Sequence, residues 1–149
     1  MKKKFLFLFL FFLLLNIQFI KADEKFLSLK KSKVNVRYGP SFESKIKFIY
    51  KKKHLPIKQI DKKENWRRII DLKNNSGWIH WSQLKPVNSI ITLGDKVLFK
   101  KPSSYAKPIA LIKAGKLLII KKCENNWCSV KTDKYSGWIN KKNIWGKVK

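Results

Sequence analysis

The chain contains an internal repeat, in which two stretches of sequence match each other at an offset of about 61 residues. The matching pairs are Val36–Pro40 with Leu98–Pro102, Trp66 with Trp127, and Gly77–Ile79 with Gly137–Ile139. The offset shortens by one residue twice, at places where loops between strands can absorb a deletion. We therefore expect two homologous units, residues 23–86 (unit one) and residues 87–149 (unit two). A length of 149 residues leaves no room for a large enzyme with separate cofactor and substrate domains.

Short β-strands are the local pattern within each unit. In unit one, Val34, Val36 and Tyr38 alternate with polar residues, as in a strand with one buried face. Later runs are rich in β-branched and aromatic residues, and turn-forming segments such as Gly39–Ser41 and Asn74–Gly77 separate them. No stretch after residue 22 has the period of an amphipathic helix. The sequence therefore predicts an all-β protein with a small antiparallel barrel or sandwich in each unit.

The first 22 residues have the order of a secretory signal peptide. Lys2–Lys4 are followed by the apolar run Phe5–Leu15 and then by a more polar stretch that ends at Ala22. A retained membrane anchor is the alternative, but even Phe5–Ile20 has only 16 residues, whereas a spanning helix needs about 20. We therefore expect residues 1–22 to be removed after Ala22 and the mature protein to be periplasmic or secreted.

The chain is strongly basic, with 35 Lys and Arg against nine Asp and Glu and a formal charge of +26. The expected signal peptide holds four lysines and no acid, so the remainder keeps a charge of +22. Such a charge can attract nucleic acid, but an exported protein meets anionic envelope polymers and lipid head groups instead. We therefore expect an anionic envelope surface as a candidate partner and no nucleic acid. The alternative is that the lysines only keep the surface solvated.

In both units a tryptophan stands three residues before a branched apolar residue. The pairs are Trp66 with Ile69 and Trp127 with Val130. Residues three apart on a strand point to opposite faces, so both tryptophans face outward if the branched residues fill the barrel. The same reasoning places Trp78 and Trp138 outward, and the glycine before each suits a tight turn or a close strand crossing. An outward tryptophan can line a binding groove, or it can cover the neighbouring unit.

Two ordered motifs recur in the repeat. Unit one has W-R-R-I at residues 66–69 and G-W-I-H-W-S-Q-L at 77–84; unit two has W-C-S-V at 127–130 and G-W-I-N-K-K-N-I at 137–144. With the start Asn35–Pro40 and the end Ile144–Gly146, these motifs resemble the bacterial, extracytoplasmic kind of SH3 domain. The chain is similar, from Phe26 to about Trp145, to exported tandem SH3-like proteins of alphaproteobacteria. The resemblance implies two tandem SH3-like β-barrels after the signal peptide.

The resemblance also implies where a binding groove would lie. Trp66 and Trp127 occupy the position of the tryptophan that walls the peptide groove of eukaryotic SH3 domains. The groove proline and tyrosine of those domains are replaced, in unit one by His80 and Gln83 and in unit two by Asn140 and Asn143. Because a proline-rich ligand docks on an aromatic-lined groove, these replacements argue against such a ligand.

The cysteines of the chain are Cys123 and Cys128, which flank a four-residue turn. In an exported protein, a lone close pair across a β-turn is typical of a disulfide. The alternative is a redox-active pair, which needs a low-pKa thiolate in a motif such as C-x-x-C. We therefore expect a structural disulfide, which the chain-entropy relation values at about 2 kcal/mol for so small a loop.

The sequence offers little material for catalysis. His54 and His80 are the only histidines, and neither stands at metal-ligand spacing from a cysteine or an acidic cluster. Asp61, Glu64 and Asp71 could form a carboxylate pair, but charged turn residues are their ordinary explanation. The two units share no acid or histidine. We therefore expect no catalytic activity, no cofactor and no metal site, and an enzyme is the weakest hypothesis.

Together these features predict an exported, non-catalytic binding module that recognises peptidoglycan or its stem peptides in the bacterial envelope. The alternative is a periplasmic protein–protein interaction or scaffold module that recognises an envelope protein. The candidate ligand-binding residues are Arg37, Trp66, Arg67, Trp78, Trp81, Trp127 and Trp138.

Overall fold

A computed structural model describes residues 24–146, which form fourteen β-strands and one short 3-10 helix, so the predicted all-β fold is confirmed. Unit one contains β1 (Lys25–Leu29), β2 (Val34–Arg37), β3 (Ile46–Tyr50), β4 (Pro56–Lys63), β5 (Trp66–Ile70), β6 (Ser76–His80), the 3-10 helix (Trp81–Gln83) and β7 (Leu84–Pro86). Unit two contains β8 (Ser89–Thr92), β9 (Lys96–Phe99), β10 (Pro108–Ile112), β11 (Leu117–Glu124), β12 (Trp127–Lys131), β13 (Ser136–Asn140) and β14 (Ile144–Trp145). The expected signal peptide, residues 1–22, lies outside the described residues. No helix within residues 24–146 is long and apolar enough to cross a membrane.

The two units have the same sheet topology. The strand order is β3-β2-β6-β5-β4-β1-β7 in unit one and β10-β9-β13-β12-β11-β8-β14 in unit two. All pairings are antiparallel, and the long hairpin of each unit has a register shift at the same place, beside Ile60 in unit one and Lys121 in unit two. Because even the irregularities repeat, the sequence repeat corresponds to two copies of one fold.

Each unit has its own apolar core. The core of unit one consists of Leu29, Val34, Val36, Ile57, Ile69, Ile79 and Leu84. The core of unit two consists of Ile90, Leu98, Ile112, Leu118, Cys128, Val130 and Ile139. Ile69 and Val130 are fully buried, which is the condition under which strand alternation places Trp66 and Trp127 on the opposite face. Burying one branched apolar side chain contributes about 1.5–3 kcal/mol, so these few residues hold each small barrel together.

The glycines that precede Trp78 and Trp138 permit two strands to approach closely. A Cβ atom on Gly77 would lie 2.9 Å from the backbone oxygen of Arg37, and one on Gly137 would lie 2.7 Å from that of Phe99. These distances are shorter than any normal contact of a Cβ atom. Strand β2 can therefore lie this close to β6, and β9 this close to β13, only because the residue at each crossing is glycine.

Cys123 and Cys128 form a disulfide, so the predicted pairing is confirmed. They lie directly opposite each other in the hairpin of β11 and β12, with Cα atoms 4.1 Å apart. Cys128 is fully buried in the core of unit two. The disulfide therefore ties the end of the hairpin to the core, whereas unit one has Lys62 and Arg67 at the corresponding register.

The two units contact each other through the first strands of each barrel. Ser28 of β1 and Ser89 of β8 are both fully buried, and their Oγ atoms are 3.0 Å apart. The ring of Trp145, in the last strand of unit two, packs edge-on against Phe26 of unit one at 5.1 Å between centroids. Because a buried hydroxyl is costly without a partner, the paired serines favour this arrangement of the units.

Candidate ligand-binding site

Four aromatic side chains of unit one form a continuous cluster, which we call the aromatic cluster. Its members are Phe42, Trp66, His80 and Trp81. The ring centroids of Phe42 lie 5.0 Å from Trp66 and 5.1 Å from His80, and those of Trp66 and His80 are 5.3 Å apart. The ring of Trp81 extends the cluster at 6.4 Å from His80. These spacings lie within the range of favourable aromatic contacts, so the four rings form one surface.

Within the aromatic cluster, Trp66 is buried, whereas Phe42 and Trp81 are exposed to solvent. Trp66 and His80 lie directly opposite each other in β5 and β6, so their side chains share a sheet face. That face is the one opposite to Ile69, but Trp66 is only 7% exposed because Phe42 and His80 pack against it. By contrast, Phe42 and Trp81 are 63% and 54% exposed. A ligand would therefore contact the outer rings while Trp66 supports them from below.

Phe42 lies in the loop of residues 38–45, between β2 and β3, and hydrogen bonds hold this loop in place. Nη1 of Arg37 donates to the backbone oxygen of Ser44 at 2.6 Å. The backbone nitrogen of Ser44 donates to Oγ of Ser41 at 3.1 Å. Because these hydrogen bonds order the loop, Phe42 is already in position before a ligand binds. This lowers the conformational entropy lost on binding.

Trp81 begins the 3-10 helix, and two hydrogen bonds position it. His80 caps the helix, with Nδ1 lying 2.8 Å from Oγ of Ser82. The backbone nitrogen of Trp81 donates to the backbone oxygen of Asn65 at 2.8 Å, which ties the helix to the turn between β4 and β5. The sequence indicated Trp66 and Trp81 as candidates, and the structure brings them together through His80.

Charged groups border the loop side of the aromatic cluster. The guanidinium carbon of Arg37 lies 6.0 Å from the ring centroid of Phe42, within reach of a cation–π interaction. Hydrogen bonds from its own backbone and from Ser41, together with the charge of Arg37, lower the pKa of Glu43. A cation from the end of β2 and a carboxylate from the loop therefore lie next to Phe42 in the chain's fold and sequence, respectively.

The three arginines of unit one do not share one face. Trp78 lies opposite Arg37 in β2 and opposite Arg68 in β5, so these three side chains lie on the face of the aromatic cluster. Arg67 lies on the other face, where Nη1 donates to the backbone oxygens of Glu64 and Trp66 at 2.7 and 2.9 Å. The structure thus separates Arg67 from the other candidates. Strand alternation could have selected Arg68 instead, since it stands two residues after Trp66.

Sequence reasoning missed Phe42, which is the most exposed ring of the aromatic cluster. Its position in a loop has no periodic pattern that would assign it to a face. The one local signal is the run Gly39–Ser41 just before it, which predicts a turn but not the direction in which the turn projects.

Unit two has a smaller aromatic face at the corresponding place. Phe99 and Trp127 pack edge to face with centroids 5.7 Å apart, and Trp138 lies opposite Phe99 in the strand pairing. Nζ of Lys122 lies 5.2 Å from the ring centroid of Trp138. The positions of Tyr38, Phe42 and Trp81 in unit one are held in unit two by Lys100, Ser104 and Lys141. Within residues 24–146, the extended aromatic cluster therefore belongs to unit one alone.

Asp71, which the sequence left open as part of a carboxylate pair or as a charged turn residue, forms hydrogen bonds within its own turn. Its Oδ1 atom accepts hydrogen bonds from the backbone nitrogens of Lys73 and Asn75 at 2.8 and 2.9 Å. Its Oδ2 atom accepts one from the hydroxyl of Tyr50 at 3.0 Å. Burial, followed by the charge and hydrogen bond of Asp71, raises the pKa of Tyr50, which therefore remains a donor. The described residues contain no group of three or more His, Cys, Asp or Glu that could hold a metal ion.

His54 lies at the contact between the units and not in the aromatic cluster. Its Nδ1 atom accepts a hydrogen bond from Nζ of Lys85 at 2.8 Å, and its backbone oxygen accepts one from Oγ of Ser89. Burial and then the charge of Lys85 lower the pKa of His54, with a smaller contribution from Lys53, while a hydrogen bond with Asn88 opposes them. A neutral imidazole that faces an ammonium group serves here as a structural acceptor.

A small antiparallel barrel that carries an aromatic surface between a loop and a 3-10 helix is the architecture of an SH3-type binding domain. The family model described as the bacterial SH3 domain matches this chain twice, at residues 30–86 and 95–146. The chain therefore belongs to the bacterial SH3 domain family, and the predicted tandem arrangement is confirmed. Bacterial SH3 domains are often binding modules, and they occur in extracellular and cell-wall-associated proteins.

Two solved structures from Trichomonas vaginalis, those of NlpC2 and NlpC1, are similar to this chain. Each is 11% identical to it, with a TM-score of 0.39. The matches cover 83% and 90% of this chain but only 48% and 50% of the other two, so it spans about half their length. No curated protein matches the chain.

Proposed function

We propose that the protein is an exported, non-catalytic binding protein of the bacterial envelope, and that the aromatic cluster binds the stem peptides of peptidoglycan. The observation that carries this proposal is that two aromatic rings of the cluster are exposed to solvent and yet belong to ordered segments. Phe42 and Trp81 are both more than half exposed, yet a hydrogen bond within its loop holds the segment of Phe42, and one to the backbone oxygen of Asn65 holds Trp81. Exposed aromatic side chains that are held rigidly are the usual anchors of a binding surface.

The chemistry of the aromatic cluster suits a short peptide that carries both methyl groups and carboxylates. Aromatic faces pack well against small apolar side chains and against amide planes. Arg37 and Arg68 lie on the same face, and a guanidinium group can bind a carboxylate through two parallel hydrogen bonds. Stem peptides carry both alanine methyl groups and free carboxylates, so a single ligand would engage both kinds of group.

The contact between the units leaves the aromatic cluster accessible. That contact uses β1, β8 and β14, whereas the cluster is built on the loop of residues 38–45, on β5 and β6, and on the 3-10 helix. The net charge of the chain adds a general attraction to an anionic envelope. This attraction raises the local concentration of the protein near its ligand, while the aromatic cluster selects the ligand.

A non-catalytic role is supported by the state of the candidate reactive groups. Both cysteines are joined in the disulfide, and Asp71 is saturated by its own turn. His80 caps the 3-10 helix, and His54 accepts a hydrogen bond from a lysine. A nucleophile needs a base within hydrogen-bond reach, and these groups have structural partners instead.

Co-sedimentation of the purified protein with isolated sacculi tests the proposal. Phe42→Ala and Trp81→Ala remove exposed rings and are expected to weaken binding by about tenfold each, or 1.4 kcal/mol. Tyr105→Ala is the matched control, because Tyr105 is a 99% exposed ring in unit two, outside the aromatic cluster. A soluble stem tetrapeptide is expected to displace the protein from the sacculi.

The salt dependence separates selective binding from attraction by lysines. At about 1 M salt the screening length falls to about 3 Å, so long-range attraction is lost while contacts in the aromatic cluster persist. Pelleting that disappears at this salt concentration, or that both ring variants leave unchanged, would contradict a peptide site in the aromatic cluster.

A protein partner is the second candidate, and the apolar surface of unit two favours it. Val97, Ile109 and Leu111 are exposed there, at 39%, 39% and 58%, on the strands β9 and β10. Proteins rarely expose several neighbouring apolar side chains without a use for them. Crosslinking in intact cells would distinguish the two candidates, because it would attach the protein to peptidoglycan fragments or to a polypeptide.

A further inference from the structure

Unit two contains an open cavity of about 300 Å³ between β10 and the turn that joins β12 to β13. It is lined by Ala110, Leu111 and Ile112 of β10 and by Thr132 and Tyr135 of the turn. Leu111 and Tyr135 are 58% and 48% exposed, so the apolar lining is open to solvent. A concave apolar site of this size can take one aromatic side chain with its neighbours.

In unit one, two aromatic rings occupy the corresponding space. The strand registers place Phe48 and Tyr50 of β3 where unit two has Ala110 and Ile112 of β10. The rings of Phe48 and Tyr50 pack edge to face with centroids 5.1 Å apart. The cavity of unit two therefore lies where the duplicated fold otherwise places rings, because smaller side chains have replaced them.

Unit two also lacks the residue that accepts the hydrogen bond of the Tyr50 hydroxyl in unit one. Thr132 stands where unit one has Asp71, which accepts the hydrogen bond of Tyr50. In unit two, Oγ1 of Thr132 instead accepts hydrogen bonds from the backbone nitrogens of Tyr135 and Lys134 at 2.8 and 3.2 Å. The acid that would repel an anionic ligand is thus absent at this position.

The rim of the cavity is positively charged. Lys113, Lys116 and Lys134 line it together with a single acid, Asp133. Lys113 forms an ion pair with Asp95 at 2.8 Å. The ion pairs found within residues 24–146 leave the ammonium groups of Lys116 and Lys134 without a carboxylate. A carboxylate brought to the rim would therefore find two cations available.

The strand beside the cavity has a free edge. β10 is the outermost strand of its sheet and, among the described residues, it pairs only with β9. The backbone groups of an outer strand can accept an added strand from another polypeptide. Since Ala110–Ile112 belong to β10 and also line the cavity, a peptide added to this edge would pass the cavity mouth.

We propose that this cavity binds the carboxy-terminal aromatic residue of a partner polypeptide. The ring occupies the space that Phe48 and Tyr50 fill in unit one, and the terminal carboxylate lies between Lys116 and Lys134. The residues that precede it extend the sheet along β10. Shape, charge and the free edge each select a different part of the same ligand, and none of them involves the aromatic cluster of unit one.

Isothermal titration calorimetry of the purified protein with the peptide acetyl-Val-Thr-Val-Phe tests this proposal. The peptide with a free carboxylate is expected to bind. The same peptide with an amidated end, and one that ends in alanine, each lack one recognised group. Both are expected to bind at least about tenfold more weakly, which corresponds to 1.4 kcal/mol.

The comparison of the two units suggests which variants test the proposal. Ile112→Tyr combined with Thr132→Asp rebuilds in unit two the contact that closes unit one, and it is expected to abolish binding. Leu111→Asp places a negative charge at the cavity mouth and is expected to have the same effect. Ile49→Asp is the matched control, because Ile49 has the corresponding position on β3 and is also exposed.

Equal binding of all three peptides would overturn the proposal, since it would mean that neither the terminal carboxylate nor the aromatic ring is recognised. Absence of binding by the free-acid peptide would overturn it as well. Unchanged affinity in Leu111→Asp would exclude the cavity, and this single exposed substitution keeps the test valid if the double variant fails to fold. Pelleting with sacculi is expected to be normal in Leu111→Asp, so failure here is distinguishable from failure of peptidoglycan binding.

Discussion

The indole nitrogen of Trp145 donates a hydrogen bond of 2.9 Å to the backbone oxygen of Pro56, and this bond joins the last strand of unit two to unit one. The same ring packs edge-on against Phe26. Together with the buried pair Ser28 and Ser89, it forms a contact that is partly apolar and partly hydrogen-bonded. Such a contact fixes the arrangement of two barrels better than apolar packing alone, because misaligned hydrogen-bonding groups would remain unpaired.

Trp145→Phe is expected to destabilise the protein by about 1 kcal/mol, because it removes the hydrogen bond to Pro56 and keeps an aromatic ring in place. Urea unfolding monitored by circular dichroism measures the change. Trp81→Phe is the control, since Trp81 is exposed and lies outside the contact between the units. Equal stability of Trp145→Phe and the parent protein would mean that the bond adds nothing to the contact.

The stability of the protein is expected to fall as the pH is lowered through the titration of His54. Its pKa is lowered in the folded protein, so the unfolded chain binds the proton more readily. The stabilising effect of the neutral imidazole is therefore complete above about pH 6.5 and is lost as the pH falls through the folded pKa. The free energy of unfolding, measured in urea between about pH 5 and 8, reports this loss.

Two variants assign that pH dependence. His54→Gln removes the titrating group that faces Lys85 and Lys53, so its stability is expected to vary less with pH. His80→Gln changes the other histidine and is expected to retain the dependence. A slope that is the same in His54→Gln and in the parent protein would assign the effect to other groups.

Gly77→Ala and Gly137→Ala are each expected to destabilise the protein by about 1–3 kcal/mol, because the added methyl group overlaps the backbone of the neighbouring strand. Gly94→Ala is the matched control, since a Cβ atom there meets nothing within 4 Å. Thermal unfolding compares the three variants. If Gly77→Ala were as stable as Gly94→Ala, the close approach of β2 and β6 would not require glycine.

Reduction of the disulfide is expected to destabilise the protein by about 2 kcal/mol, the chain-entropy value for a loop of this size. Chemical unfolding with and without dithiothreitol measures the difference. The double variant Cys123→Ala with Cys128→Ala should not respond to the reductant. If the parent protein did not respond either, the short loop would contribute nothing beyond the hairpin that already holds it.

Much of the fold could be predicted from local patterns. The spacing Trp66-x-x-Ile69 placed the two side chains on opposite faces, and of the two roles considered for the glycine before Trp78 the structure shows the close strand crossing. The pair Cys123 and Cys128 lies near enough in sequence for its disulfide to be inferred. Each of these predictions depends on residues that are neighbours along one strand or across one turn.

The candidate site was predicted less completely. Arg67 was named as a candidate although the strand directs it away from Trp66, while Arg68 was left out of the candidate residues and Phe42 was overlooked. Strand alternation alone could have shown that Arg67 and Trp66 lie on opposite faces. It could not have placed Phe42, whose position depends on how the loop of residues 38–45 folds back over a strand more than 20 residues away in sequence.

By itself, the sequence determined the duplication, the strand pattern and the disulfide, since periodicity and short-range spacing are written in consecutive residues. The tertiary structure decided how the two copies differ. In unit one the loop brings Phe42 onto Trp66 and His80, and Phe48 and Tyr50 close the space beside the edge strand. In unit two the same backbone carries lysines and small side chains there, which leaves a cavity. These differences arise from contacts between distant strands, and such contacts exist only once the chain has folded.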